Sequence, residues 1–234
     1  MTKLRNILVA AIAITALSTS AFAGSMSVGL KVSSMDIKAS GTETDRLTAT
    51  GANVADTSVR KLSKEAGTTT GSVFVEYTTD FRFPIAVGLE YTPGETTIGS
   101  GTRLDSELSQ TGNVNTTALA NTRTAKAVAS NFATAYVELP LFKGLYVRGG
   151  IANMTVNHRN NSALGAASHL TGTNTGIGYK VTTDGGWILK GSYEETDYDT
   201  INLRSDSNSV AANSTGVTAD VDTDAYAFSI AKNF

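Results

Sequence analysis

The chain has 234 residues, no cysteine, 19 basic against 21 acidic side chains, and 22 glycines beside only three prolines. Neither a disulfide scaffold nor a thiolate zinc site is open to it, and its slight acidic excess is not the basic face of a nucleic-acid binder. No run of eighteen apolar residues exists, so the sequence predicts no helical membrane span. At the start, Lys3 and Arg5 precede an apolar run at 7–17, and Ala21, Phe22 and Ala23 supply an A-x-A motif. This is the pattern of a secretory signal peptide over 1–23, cleaved after Ala23, in preference to a short anchor helix. The mature chain is then expected to be a single domain over 24–234, with 17 basic and 21 acidic residues and a net charge of −4.

From there a period-two alternation of apolar with small or polar residues recurs eight times. Strand one is expected at 25–37 (Met26, Val28, Leu30, Val32 on one face) and strand two at 69–79 (Val73, Val75, Tyr77). Strand three follows at 83–92 (Ile85, Val87, Leu89, Tyr91), and strand four at 130–139 (Ala133, Ala135, Val137, Leu139). Strands five, six and seven read at 144–156 (Leu145, Val147, Ile151), 171–182 (Ile177, Tyr179, Val181) and 186–196 (Trp187, Leu189, Tyr193). Strand eight occupies 218–234. Connections at 80–82, 140–143 and 183–185 are short; those at 38–68, 93–129, 157–170 and 197–217 are long, and 117–129 has a composition that suits a short helix. Tight turns at one end and long loops at the other suit a transmembrane barrel better than a soluble sandwich. Tyr77, Phe81, Phe83, Phe142, Trp187 and Phe234 fall near the short turns and read as an interfacial girdle; the competing reading makes them the core of a soluble barrel.

If the apolar faces meet lipid, the opposite faces point inward and carry Lys31, Glu76, Glu90, Glu138, Arg148, Lys180, Lys190 and Glu194. Four positive and four negative charges on one face predict a lumen crossed by ion pairs, because eight strands leave room for side chains and little else. Counting from the turns places Glu76, Glu138, Arg148, Lys180 and Lys190 in a lower layer, with Lys31, Glu90 and Glu194 higher. Gly29, Gly88, Gly150, Gly176, Gly178 and Ala227 on the same faces leave space for those long side chains, and Phe132 and Tyr136 add bulk.

Catalytic chemistry finds little footing. His158 and His169, the two histidines, fall in or beside the third long connection, without the spacing of a His-x-Ser motif, and no G-x-S-x-G elbow is present. Asp197, Asp199, Asp206, Asp220 and Asp222 crowd the fourth long connection and its flanks against Arg204, without EF-hand spacing, and read as a solvated acidic surface. No catalytic, cofactor or metal site is predicted.

The last ten residues, AYAFSIAKNF, alternate with Tyr226, Phe228 and Ile230 on one face and stop at Phe234. This ending resembles the C-terminal strand of bacterial outer-membrane β-barrels, whose terminal Phe is read by the assembly machinery. Lys232 departs from the pattern, where that family usually carries Tyr or another apolar residue, and fits if it snorkels to the periplasmic interface. The whole mature chain resembles the small barrels of the OmpA-transmembrane, OmpX or opacity type, loosely called porin-like. The resemblance implies an all-β fold: an eight-stranded antiparallel up-and-down transmembrane β-barrel with short periplasmic turns and long extracellular loops. It implies residence in the outer membrane of a Gram-negative bacterium as a monomer, with outer-membrane lipid, periplasmic chaperones and the barrel-assembly machinery as partners. It further implies a non-enzymatic structural or surface role, in which the loops serve adhesion to an extracellular ligand; the alternative is a small porin-like channel for ions or solutes.

Overall fold

The computed structural model describes residues 24–47, 56–107, 119–160, 167–204 and 213–234; the expected signal peptide and its Ala23 junction lie outside them. Eight strands follow one another: β1 (Gly24–Leu47), β2 (Asp56–Thr79), β3 (Ala86–Glu107), β4 (Leu119–Phe142), β5 (Leu145–Asn160), β6 (Ala167–Thr182), β7 (Trp187–Arg204) and β8 (Asn213–Asn233). Each pairs antiparallel with its neighbour in sequence, and β8 returns to β1, so the sheet closes and neither terminal strand is left as an edge. The closing ladder starts at the chain end, where the Phe234 N–H donates to the Met26 carbonyl at 2.8 Å.

At the short-turn end the chain reverses through 80–85, 143–144 and 183–186. Pro84 cannot donate to a ladder, and β3 starts two residues after it. The β4–β5 reversal is tighter than expected, because Pro140 and Phe142 remain in β4 and the turn falls to Lys143 and Gly144, both at positive φ (40° and 91°).

Along each strand, alternate residues face outward and inward, but the apolar set changes sides partway up. On β1, Val28, Leu30 and Val32 are exposed on the outer wall, whereas Met35 and Ile37, of opposite parity, are buried inside. On β5 the switch runs from outward Ile151 to inward Ala152, Met154 and Val156, and on β8 from outward Phe228 and Tyr226 to inward Val221. The lower barrel is therefore apolar outside and charged inside; the upper barrel is polar outside and apolar inside. A sheet wall in lipid needs the first arrangement, and one in water needs the second.

This reversal corrects the expected strand ends. Strands of 24 residues in β1, β2 and β4 far exceed the roughly 9–11 needed to cross a bilayer. Most of 38–68 and 93–129, expected as loop, is paired strand, as are much of 157–170 and 197–217. The short helix expected at 117–129 is absent among the described residues, since β4 runs from Leu119 and pairs Leu119 with Glu107. Beyond Ile37 on β1 and through most of 56–72 on β2, few apolar residues remain to mark a face. Thr and Ser carry the strand beyond that point, aided by their tolerance for a pleated, half-wet surface.

The upper wall also divides. β2 and β3 pair only over Val73–Thr78 against Tyr91–Ala86, and β6 pairs with β7 only up to Gly172 and Tyr198. Above those points two four-stranded sheets face each other, β7–β8–β1–β2 and β3–β4–β5–β6. Met35, Ile37, Tyr198, Ile201 and Val221 from the first pack with Ile98, Phe132, Met154, Val156 and Leu170 from the second as one apolar core.

Candidate functional site in the barrel lumen

All eight predicted inward charges occupy the lower and middle lumen, in two neutral clusters. In the cluster nearer the short turns, Lys190 Nζ lies 2.5 Å from Glu76 and 2.8 Å from Glu138. Lys180 approaches Glu138 at 3.8 Å from the lumen edge, with a fifth of its side chain exposed. Lys180 and Lys190 face each other across β6 and β7, so like charges share a rung. Lys190 escapes by reaching between the two carboxylates. The Tyr136 hydroxyl donates to Glu76 at 3.1 Å, passing over Gly88, where a β-carbon would collide with its ring.

In the second cluster, Lys31 lies 2.6 Å from Glu90 and 3.0 Å from Glu194. Arg148 bridges the same two carboxylates at 2.9 and 3.2 Å. Its Nε donates to Asn174 at 3.0 Å, and its guanidinium stacks on the Tyr136 ring at 3.7 Å. Arg148 thus belongs to the higher cluster, correcting its expected lower placement. It sits opposite Glu138 in register but does not pair with it. The stagger of a closed barrel and the length of the side chain carry its charge upward instead.

Three aromatic residues fill the space the glycines leave, in place of the charged side chains expected there. Phe74 covers Gly29, Tyr136 covers Gly88, and Tyr146 covers Gly178; in each case an added β-carbon would collide with the ring. Phe74 stands on β2 between Ser72 and Glu76, packed with Ile188 and Ala231, and so separates the two clusters on that wall. Phe74, Tyr146 and Asn174 were missed by the sequence reading, although their parity matches that of Glu76, Arg148 and Glu194. Charge marks the inward face in the sequence, and these three neutral residues, unlike Phe132 and Tyr136, are not singled out by it.

The outer wall carries two aromatic levels. Phe81, Phe83, Phe142, Trp187 and Phe234 are exposed near the short turns. At the upper limit of the apolar band, Tyr193 and Tyr226 pair with ring centroids 5.0 Å apart, and Tyr193 donates to Glu195 at 2.7 Å. Lys232 bonds to the Gly185 carbonyl and lies over the Trp187 ring at 5.4 Å, so it caps a turn and does not extend freely into solvent.

The other candidates stay apart from the lumen clusters. His169 is exposed on β6, its Nδ1 3.1 Å from the Thr155 hydroxyl. His158 lies in β5 with a buried, unpartnered Nε2, and burial lowers its pKa below the usual imidazole value. Asp197 and Asp222 face each other across β7 and β8, Asp222 in the expected last strand and Asp197 within β7 and not in the expected loop, while Asp206 lies outside the described residues. Asp224 pairs with Lys38 and raises its pKa. Among the described residues, no three His, Asp or Glu side chains come together as a metal-ligand group.

No protein-family model matches the sequence, and no curated protein matches it. Solved structures do. The outer-membrane protein OprG from Pseudomonas aeruginosa is similar at 14% identity and a TM-score of 0.50, over 91% of this chain and 97% of that one. The outer-membrane protein AlkL, solved in lipid bilayers, aligns at 13% identity and a TM-score of 0.43, over 93% of each chain. The attachment invasion locus protein Ail of Yersinia pestis aligns at 12% identity and a TM-score of 0.36, over 87% of this chain and 99% of that one. At these identities the likeness concerns the fold. With the closed ring of eight antiparallel strands, it shows that the chain has the fold of a small outer-membrane β-barrel.

Proposed function

We propose that the protein is an outer-membrane barrel with a closed lumen, acting without catalysis at the cell surface through the paired hairpins that rise above its apolar band. The observation that carries this reading is the filling of the lumen. Two ion-pair clusters and the Phe74, Tyr136 and Tyr146 rings occupy it at the level of the band, and an apolar core occupies it above. An open pore needs a continuous wet path. Here Glu76, Glu138 and Lys190 are each at most 4% exposed.

The upper barrel supports a binding or adhesive role over a purely structural one. Strands β1 and β2 stay paired to Leu47 and Asp56, well past the apolar band, and hold a stiff polar surface away from the membrane. In this reading the short turns face the periplasm and the exposed Phe234 serves as the assembly signal. Outer-membrane lipid, periplasmic chaperones and the assembly machinery are then its partners, together with an unidentified extracellular ligand.

Single-barrel recordings in planar bilayers test the closed lumen. The expected trace shows no steady conductance at neutral pH; large stable openings would replace this reading with that of a porin-like channel.

A further inference from the structure

Five buried side-chain atoms among the described residues have no hydrogen-bond partner, and three of them fall on one rung of the sheet: Ser27 Oγ, Glu76 Oε1 and Asn233 Oδ1. Ser27 pairs in register with Glu76 on β2 and with Asn233 on β8, so the three stand side by side on β2, β1 and β8. All share the parity of the inward face. Ser27 and Glu76 are 2% and 1% exposed. A buried polar atom without a partner is costly, so three on one rung mark a site that something satisfies.

We infer that one water molecule is bound here, bridging the first, second and last strands at the short-turn end of the lumen. The hydrogen-bond balance selects it. Glu76 Oε1 and Asn233 Oδ1 can only accept, while the Ser27 hydroxyl can donate. Water donates to the first two and accepts from the third, the three bonds typical of a buried water. A bound cation fits less well. The other oxygen of Glu76 already takes Lys190 at 2.5 Å, and Glu76 and Glu138 are balanced by Lys190 and Lys180, so an added positive charge has no counterion. The rung also spans the seam where β8 meets β1, so the water is enclosed only when the barrel closes. The inference rests on the geometry of this rung and not on the surface role proposed above.

A double-mutant cycle on the refolded protein in detergent micelles tests it, with urea-driven unfolding rates as the readout. If the water bridges the rung, Ser27→Ala and Asn233→Ala each speed unfolding roughly five-fold. The double variant is then little faster than either single one, because each change already breaks the bridge. Ser27→Thr, which keeps the hydroxyl, unfolds near the original rate. If the atoms are orphaned in fact, each alanine leaves the rate unchanged or slows it, and the inference fails. Water-edited NMR on the unaltered protein decides independently of folding: magnetisation transfer from water to Ser27 is expected, and its absence overturns the site. Replacing sodium chloride by choline chloride at equal ionic strength should change nothing; slower unfolding in sodium would assign the rung to a cation and overturn the water.

Discussion

Lys190 is the residue on which the lower lumen turns. Its ammonium serves two carboxylates that each lie almost wholly out of water, so removing it leaves Glu76 without a cation and Glu138 with only the more distant Lys180. Breaking a buried pair from one side costs about 3–5 kcal/mol, whereas replacing the whole group by apolar residues is often neutral. Lys190→Met should therefore destabilise the refolded barrel by that amount in urea titration. Adding Glu76→Leu and Glu138→Leu to it should recover most of the loss; a triple variant as weak as the single one would show that packing, not charge, governs the cluster. The inward charges could be read from the sequence because a charge on a lipid-facing wall is prohibitive and parity leaves one other direction. Partner choice could not be read. Arg148 stands beside Glu138 in register yet bonds Glu90 and Glu194, a choice made by barrel stagger and by the ring of Tyr136, both tertiary.

At the scale of the strand, the change of apolar side governs tolerance to substitution. On β1, Leu30 faces outward in the band, while Ile37, seven residues on, is fully buried in the upper core. Leu30→Asp should impair insertion into lipid vesicles while leaving the upper core intact. Ile37→Asp should permit insertion but loosen the two facing sheets, read as protease cutting within 38–68 on the outer side. Equal effects of both on insertion would place Ile37 within the bilayer. The eight strands are legible in the sequence through their lower halves; on β1 the expected strand reaches Ile37, and the paired stretch above it, 38–47, is too poor in apolar residues to mark a face. The acidic rungs of β7 and β8 belong to this upper region. Asp222 has its pKa raised above the ordinary 3.8, first by burial and then by Asp197 across the ladder. A raised folded-state pKa means that the protonated form favours folding. The contribution is complete below about pH 3.8 and is lost as pH rises through the folded value. Because the carboxyl is largely solvated, the effect is small. Asp222→Asn should raise the melting temperature at pH 7 by about 1–2 °C and leave it unchanged at pH 3.5; a fall at pH 7 would mean that the carboxylate has a favourable partner.

For the molecule as a whole, the decisive feature is where the closed barrel becomes two sheets. Inside a bilayer every backbone group needs a partner, so the wall must be continuous; in water an unpaired strand edge is solvated at little cost. The β2–β3 ladder reaches its upper end at Val73 and Tyr91, close to the top of the outer apolar band, and the Ser72 and Thr92 hydroxyls join at 2.7 Å just above it. Above that point β2 is held by β1 alone, whereas β1 keeps partners on both sides. Successive amides of a strand point to opposite neighbours, so hydrogen exchange should show a period of two along residues 62–71, with every second amide exchanging quickly. Amides of β1 over 33–42 should be slow at every position, and those of β2 over 73–78 likewise. Uniform protection along 62–71 would mean that β2 and β3 pair to their tips and that the upper barrel is one ring. The alternating pattern would place the division between sheets at the edge of the apolar band, where loss of lipid first makes an open edge affordable.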